Sequence, residues 1–272
     1  MVGAGSWGLA VIAKRQSSFV RRQSRPPRVT TDEGRLTLPN DLELPTMIRL
    51  DRILSSRGYS TRSQAKGFVR HHDILFDGKK VERVDDKVDP ALVTIDGEPL
   101  DPESLFILMN KPVGYVCSHR EQGDLIYSLL PERWTYRNPQ VATVGRLDKD
   151  TSGLLLLTDD GQLLHRLTSP KHHVPRVYLA TLDRALRGDE AKIFQSGALM
   201  LEDEEKPLLP AEMEVLAETQ ARLTLHEGRY HQVRRMFAAV GNHVTALHRE
   251  KFGIIALDDL QPGQYRLLEK PG

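Results

Sequence analysis

Among its 272 residues the chain has one cysteine, Cys117, which excludes a disulfide framework and a cysteine-built zinc site. Long apolar runs are also missing. Those present, such as Leu154 to Leu157, are strand-sized and far below the roughly 20 residues needed to cross a bilayer. Excess charge is absent as well, with 38 Lys and Arg against 37 Asp and Glu, so the total of +1 points to neither a nucleic-acid nor a membrane partner. What is present is an ordinary composition, 39% hydrophobic and 28% charged, at a length that allows one large domain or two smaller ones.

The charges are nonetheless sorted along the chain. Residues 1–46 carry seven basic and four acidic residues, with Pro26-Pro27, scattered Ser and almost no periodicity. This reads as a disordered extension or a mis-assigned start, with Met47 as the natural beginning. A secretory signal is not indicated, because the first basic residue, Lys14, follows the short apolar run Leu9–Ala13 rather than preceding it. Residues 47–76 hold six Arg and Lys against two Asp, whereas 77–104 hold four against nine acids. Further on, no acid occurs from Gly161 to Leu182, and five Arg face one acid between Arg222 and Arg249. Ten acids against four cations collect in 183–218. That pattern predicts a basic face and an acidic back, the footprint of a polyanion binder hidden in a neutral total.

From Met47 the periodicity sharpens. Leu50, Ile53 and Leu54 have the spacing of a helix with one buried face, ended by Arg57-Gly58. Thr61 and Gln64 read as a capping box for a second helix with Ala65, Phe68 and Val69 inward. Arg62, Lys66 and Arg70 then line one face of that helix at i, i+4, i+8. Asp77-Gly78 between Ile74-Leu75-Phe76 and Lys79-Lys80-Val81 predicts a hairpin, and Val93-Thr94-Ile95 before Asp96-Gly97 a further strand and turn. A basic stripe alone is usually a solvated helix face. Two short helices with such a stripe and a hairpin behind them resemble the S4 (α-L) RNA-binding domain, through Arg49-Leu50-Asp51-Arg52-Ile53-Leu54, Ser60-Thr61-Arg62-Ser63-Gln64-Ala65 and Val81. The resemblance implies RNA contacts from Arg49, Arg52, Arg62, Lys66 and Arg70, which position RNA through its phosphates without reading sequence. Residues 47–104 are then an S4-like domain with its linker.

Residues 105–272 read as mixed α/β, without internal repeats. Phe106–Met109, Val141–Val144 and Leu154–Leu157 are predicted strands, as are Arg176–Leu182 and Arg222–His226; Asp160–Thr168 and Arg229–Val240 are predicted helices. Gly145–Gly153 is a polar nine-residue loop between two of the strands, a rigid place for a functional group. Several chemistries are absent. No Walker or dinucleotide loop and no serine elbow occurs, and neither His226/His231 nor His243/His248 has metal-ligand spacing. The neighbouring acids Asp159-Asp160 and Asp258-Asp259 fall in predicted turns, where adjacent carboxylates seldom converge on one atom. That leaves Asp148, which by spacing alone is a turn former.

A resemblance gives Asp148 a different meaning. Gly145-Arg146-Leu147-Asp148-Lys149-Asp150-Thr151-Ser152-Gly153-Leu154-Leu155-Leu156-Leu157-Thr158 is similar to the signature of the RNA pseudouridine synthases. Lys111-Pro112-Val113-Gly114-Tyr115, Arg176-Val177-Tyr178 and Glu227-Gly228-Arg229-Tyr230-His231-Gln232-Val233-Arg234-Arg235-Met236 match its other motifs, and the S4-like region narrows the match to the RsuA-type branch. Thr168-Ser169-Pro170-Lys171-His172-His173 and Phe237-Ala238-Ala239-Val240-Gly241-Asn242-His243-Val244 resemble the members that act on small-subunit (16S) rRNA.

The resemblance implies an α+β fold in which residues 105–272 form a mixed, largely antiparallel sheet flanked by helices. It also implies isomerisation of uridine to pseudouridine with no cofactor and no metal. Asp148 takes the nucleophile position, attacking C1′ or C6. Tyr178 stacks on the uracil, and Arg234 pairs with Asp148, with Arg235 as the neighbouring alternative. Arg146 fills the space of the extruded base, and Lys111, Lys171, Arg176 and Arg229 join the RNA contacts. Arg176 departs from the lysine often found there. The implied partner is small-subunit rRNA or a precursor ribosomal particle, not a membrane, for a cytoplasmic monomer. Large-subunit (23S) rRNA is the alternative substrate, and a non-catalytic assembly factor the alternative of another class.

Overall fold

The computed structural model describes residues 46–270 of the chain, so the expected disordered extension lies outside the described residues. The first elements follow from local sequence. Strand β1 (Ile48–Arg49) leads into helix α1 (Leu50–Ser56), whose Leu50, Ile53 and Leu54 are buried as their spacing predicts. Gly58 ends the helix at φ +81°, and a Cβ there would lie 2.0 Å from the Arg133 carbonyl oxygen, so the turn and the contact both require glycine. Helix α2 (Ala65–His71) buries Ala65 and Val69 and leaves Lys66 and Arg70 exposed; Arg62, expected on the same helix face, is exposed in the turn before it, because the helix starts only at Ala65. The capping box forms by half: the Gln64 N–H donates to Thr61 Oγ1 at 3.3 Å, while the Gln64 side chain binds the same hydroxyl instead of the backbone.

Strands β2 (Ile74–Phe76) and β3 (Lys79–Lys80) form the first hairpin, with Asp77 and Gly78 both at positive φ. Strand β4 (Lys87–Val88) pairs with β1, and β5 (Val93–Ile95) turns through Asp96-Gly97 into β6 (Glu98–Pro99). Asp101 ties this part to the rest. Its carboxylate accepts from Arg133 Nε (2.7 Å), Arg133 Nη2 (2.9 Å) and Trp134 Nε1 (2.9 Å), and its carbonyl oxygen from Arg57 Nη1 (2.7 Å).

The larger sheet begins with β7 (Phe106–Lys111), followed by α3 (Glu132–Thr135), β8 (Ala142–Thr143), β9 (Thr151–Thr158), α4 (Gly161–Thr168), β10 (Arg176–Leu182) and α5 (Glu190–Gln195). Then come β11 (Glu212–Ala217), β12 (Gln220–Leu225), α6 (Gln232–Ala239), β13 (Val244–Phe252), β14 (Ile255–Ala256) and β15 (Tyr265–Leu267). The strand order is β11-β12-β10-β13-β9-β7-β15, with β14 on β13 and β8 on β9; β13 and β9 run parallel and the other pairs antiparallel. This is the mixed, largely antiparallel sheet that was expected.

Some boundaries differ, each for a physical reason. The loop 145–153 is shorter than predicted, because Thr151, Ser152 and Gly153 already pair with Leu247, His248 and Arg249. Gly153 sits at φ +106°, and a Cβ there would lie 2.3 Å from the Arg249 carbonyl oxygen, so the parallel approach of β9 to β13 depends on its having no side chain. Of the predicted 141–144 strand only Ala142–Thr143 is regular, although the Val144 N–H still donates to the Leu156 carbonyl of β9 at 2.8 Å. Helix α6 starts at Gln232 because His231 is left-handed, at φ 47°. Asp160 caps α4 by accepting from the Gln162 and Leu163 N–H groups. Its neighbour Asp159 is buried and paired with buried Arg137 at 2.6 Å.

Candidate active site

A cleft of about 430 Å³ opens on one face of the sheet, lined by the start of the 145–151 loop, by β10, by the approach to α6 and by β13. Asp148, Arg146, Arg176, Tyr178, Arg229 and Arg234, all singled out from sequence, line it together. Asp148 is placed from below. Lys111 is fully buried, and its ammonium donates to the carbonyl oxygens of Asp148 (3.0 Å), Thr151 (2.8 Å), Pro112 (3.1 Å) and Lys149 (3.4 Å). Burial also pushes the Lys111 ammonium below its ordinary pKa, opposed by nearby Cys117 and Asp148. Lys111 therefore braces the loop from inside the protein and is not available as an RNA contact.

The partner of Asp148 also differs from expectation. His231 Nε2 lies 3.3 Å from Asp148 Oδ1, and the imidazole stacks on Tyr230 at 3.8 Å between ring centres. Arg234 pairs with Asp150 instead, Nη2 to Oδ2 at 2.8 Å, and its Nη1 donates to the Val244 carbonyl at 2.9 Å. Arg235, one residue on and so about 100° around the helix, points away from the cleft. Its guanidinium pairs with Glu204 at 2.8 Å and donates to the Glu202 carbonyl oxygen, which removes it as support for Asp148.

Arg229 lines the cleft with its donors already engaged, by Glu227 (3.0 Å), Glu204 (3.0 Å) and the carbonyls of Lys206 (2.8 Å) and Pro207 (2.6 Å). It is a brace, not a phosphate contact. Acids of the 183–218 stretch thus fold back onto Arg229 and Arg235, so charge sorted along the sequence is partly remixed in space. Arg146 stands at the rim, paired with Glu121 at 2.7 Å, and Lys171 is exposed outside the cleft lining. Arg52 and Arg62 line a separate groove with Tyr59 and Tyr136, while Arg49 is exposed and paired with Asp51.

His231, Tyr230 and Arg249 are functional residues that the sequence does not single out: the first two lie inside a longer motif without a signal of their own, and Arg249 falls in a run of mixed charge. Among the described residues no group of three or more His, Cys, Asp or Glu could hold a metal ion, and no helix is long and apolar enough to cross a membrane.

An aspartate on a braced loop and a tyrosine that line one cleft with several arginines, in a chain that also carries a helix pair with exposed cations, define an RNA-modifying enzyme. Residues 105–239 match the RNA pseudouridylate synthase family and residues 48–93 the S4 domain. The chain is 44% identical over 228 residues to ribosomal small subunit pseudouridine synthase A of Escherichia coli strain K12, covering 81% of this chain and 96% of that protein. Against the Yersinia pestis protein of the same name it is 43% identical over 226 residues, covering 81% and 94%. It is also similar to a crystal structure of a pseudouridylate synthase, with a TM-score of 0.58 and 37% identity, covering 82% of this chain and 96% of that one. The chain belongs to the RNA pseudouridylate synthase family, in the RsuA-type branch. It is therefore an isomerase of uridine in RNA.

Proposed function

We propose that the chain converts one uridine of small-subunit (16S) rRNA, free or in a precursor particle, to pseudouridine. The substrate follows from the relatives, which are named as small-subunit enzymes and align along 94–96% of their own length. The convergence of Asp148, Tyr178, Arg146 and Arg176 on one cleft carries the chemistry. In this reading residues 105–272 form the catalytic domain, and 47–104 hold the RNA through the exposed Arg52, Arg62, Lys66 and Arg70. The enzyme works as a cytoplasmic monomer.

The target base leaves its stack and enters the cleft, where Tyr178 stacks on it and Arg146 at the rim occupies the space behind it. Asp148 attacks as a carboxylate, at C1′ or C6. His231 beside its carboxylate and the Lys111 ammonium beneath its loop hold Asp148 in position, and Arg234 acts at one remove by fixing Asp150. The uracil detaches, turns and rejoins C1′ through C5. No redox change occurs and no group is added, so the residues of the cleft suffice.

Asp148→Asn tests the mechanism: tritium release from rRNA labelled at uracil C5 should disappear while RNA binding persists, and retained turnover refutes the role of Asp148. Carbodiimide mapping of rRNA from cells lacking the protein tests the substrate. One pseudouridine should vanish from small-subunit rRNA; a loss confined to large-subunit rRNA overturns the assignment.

A further inference from the structure

Tyr178 lies directly across from Arg249 in the β10/β13 pair, and directly opposed residues of an antiparallel pair project from the same face. Arg249 therefore shares the cleft face with Tyr178, and it is only 2% exposed. Its Nε donates to the Leu154 carbonyl at 2.7 Å, whereas its Nη2 is buried with no hydrogen-bond partner among the described residues. Arg176, two residues before Tyr178, faces the same way. The two guanidinium carbons lie 5.3 Å (Arg176) and 5.6 Å (Arg249) from the centre of the same Phe252 ring. Neither guanidinium forms an ion pair among the described residues, although every other cleft arginine does. Burial pushes the Arg176 guanidinium below its ordinary value, with Tyr178 opposing and the like charge of Arg249 adding to the effect. Thr151 Oγ1 and Arg234 Nε, also from cleft residues, are buried without partners too.

A buried cation and a half-buried one against the same aromatic ring cost stability unless something negative joins them. Nothing among the described residues does, so the substrate must. A phosphate does not fit this place, because the phosphates of a bound RNA stay on the solvent side of an extruded nucleotide, whereas Arg249 is buried beside Tyr178. What reaches this place is the base.

We propose that Arg249, with Arg176 beside it, binds a carbonyl oxygen of the extruded uracil and stabilises the negative charge the base acquires during the reaction. This rests on the function proposed above. When Asp148 takes C1′, the N1–C1′ bond breaks with its electron pair on N1, and the charge spreads to O2 and O4. When Asp148 adds at C6, the pair displaced from the C5–C6 bond spreads to C5 and O4, and the N1–C1′ bond then breaks with its pair on N1. Both routes load a carbonyl oxygen that a preorganised guanidinium can receive. The C5–C1′ bond then forms, Asp148 departs with its electron pair, C5 loses its proton and N1 gains one. Atoms, charge and oxidation state balance.

The test is single-turnover cleavage of the N1–C1′ bond in an RNA that the wild-type enzyme modifies, with uridine or 5-fluorouridine at the target. Fluorine withdraws electrons and lowers the need for outside stabilisation; it also blocks the last proton loss, so both RNAs are scored by disappearance of the starting nucleoside. With uridine, Arg249→Gln should slow the step by about 100-fold or more, the size expected for one preorganised donor, and Arg176→Gln by about tenfold. With 5-fluorouridine both deficits should shrink by about tenfold, while RNA affinity stays at the wild-type value. The Arg176 side chain makes no hydrogen bond to the described residues, so Arg176→Gln is expected to fold and carries the test even if Arg249→Gln does not. Equal deficits on the two RNAs overturn the proposal. So does a loss confined to affinity with a salt dependence reduced by about one charge, which would identify a phosphate site. A wrong rRNA assignment shows differently, as absence of wild-type turnover on that RNA.

Discussion

The two faces of strands β10, β12 and β13 treat charge in opposite ways. On the back face, Arg222 is held by Glu250 through Nε and by Glu214 through Nη1, both at 2.7 Å, and these hydrogen bonds raise its guanidinium above the ordinary value. There too His248 Nδ1 is bonded to Ser152 Oγ at 2.8 Å. On the cleft face, Arg176 and Arg249 have no acid among the described residues. The same strands carry both sets, because side chains alternate across a sheet. The difference separates charge that closes on itself, and so serves the fold, from charge left open, and so serves a ligand.

The strongest way to break this comparison is to part the strands that carry it. Gly153→Ala would place a methyl group 2.3 Å from the Arg249 carbonyl at a backbone angle that alanine rarely adopts. The expected cost is about 3 kcal/mol or more, with loss of activity, measured by urea unfolding. Wild-type stability would mean that β9 does not run against β13 as described. Lys111→Met comes next. It keeps the bulk and removes the ammonium that four carbonyl oxygens share, so the Asp148 loop should loosen and turnover fall by about 100-fold, since small misplacements of a reacting group are that costly. RNA affinity should hold. A drop in affinity alone would restore Lys111 as an RNA contact.

How far the sequence reaches is clear from these same residues. The short helices and the Asp-Gly hairpins were legible because turn chemistry is local, and Asp148 was legible through a long, ordered motif. The partner of Asp148 was not. Whether Arg234 meets Asp148 or Asp150 depends on how α6 docks against a turn, a tertiary fact, and it is His231 in a left-handed conformation that reaches the nucleophile loop. Lys111 reads as a surface cation in sequence, because no local pattern announces a ring of carbonyls. Arg249 was hidden because β13 carries charge on both faces, and a register shift between Arg249 and Lys251 interrupts its alternation.

A milder change sharpens the contrast from outside the cleft. Replacing Lys66 and Arg70 together by Gln removes two exposed cations from α2. The slope of log affinity against log salt should fall by about two, and binding in low salt should weaken about tenfold, with the single-turnover rate at saturating enzyme unchanged. An unchanged slope would mean that the stripe is a solvated face and that RNA is held elsewhere.

The smallest effect belongs to the back face. Arg222→Gln breaks two ion pairs at once, yet both are partly exposed, and water and salt already screen them. The expected loss is about 0.2–1 kcal/mol per pair at most, read as a small drop in the urea midpoint that shrinks further in high salt. Turnover should stay within about twofold of wild type, because the pair system touches no residue of the cleft lining. The value of this weak variant lies in its pairing with Arg176→Gln, which removes an equal charge from the other side of the same strands. If the two variants lose activity alike, the faces are electrostatically one system and the cleft arginines are not set apart for the substrate. If only the cleft variant slows the reaction while only the back-face variant lowers the urea midpoint, the sheet divides the two kinds of charge.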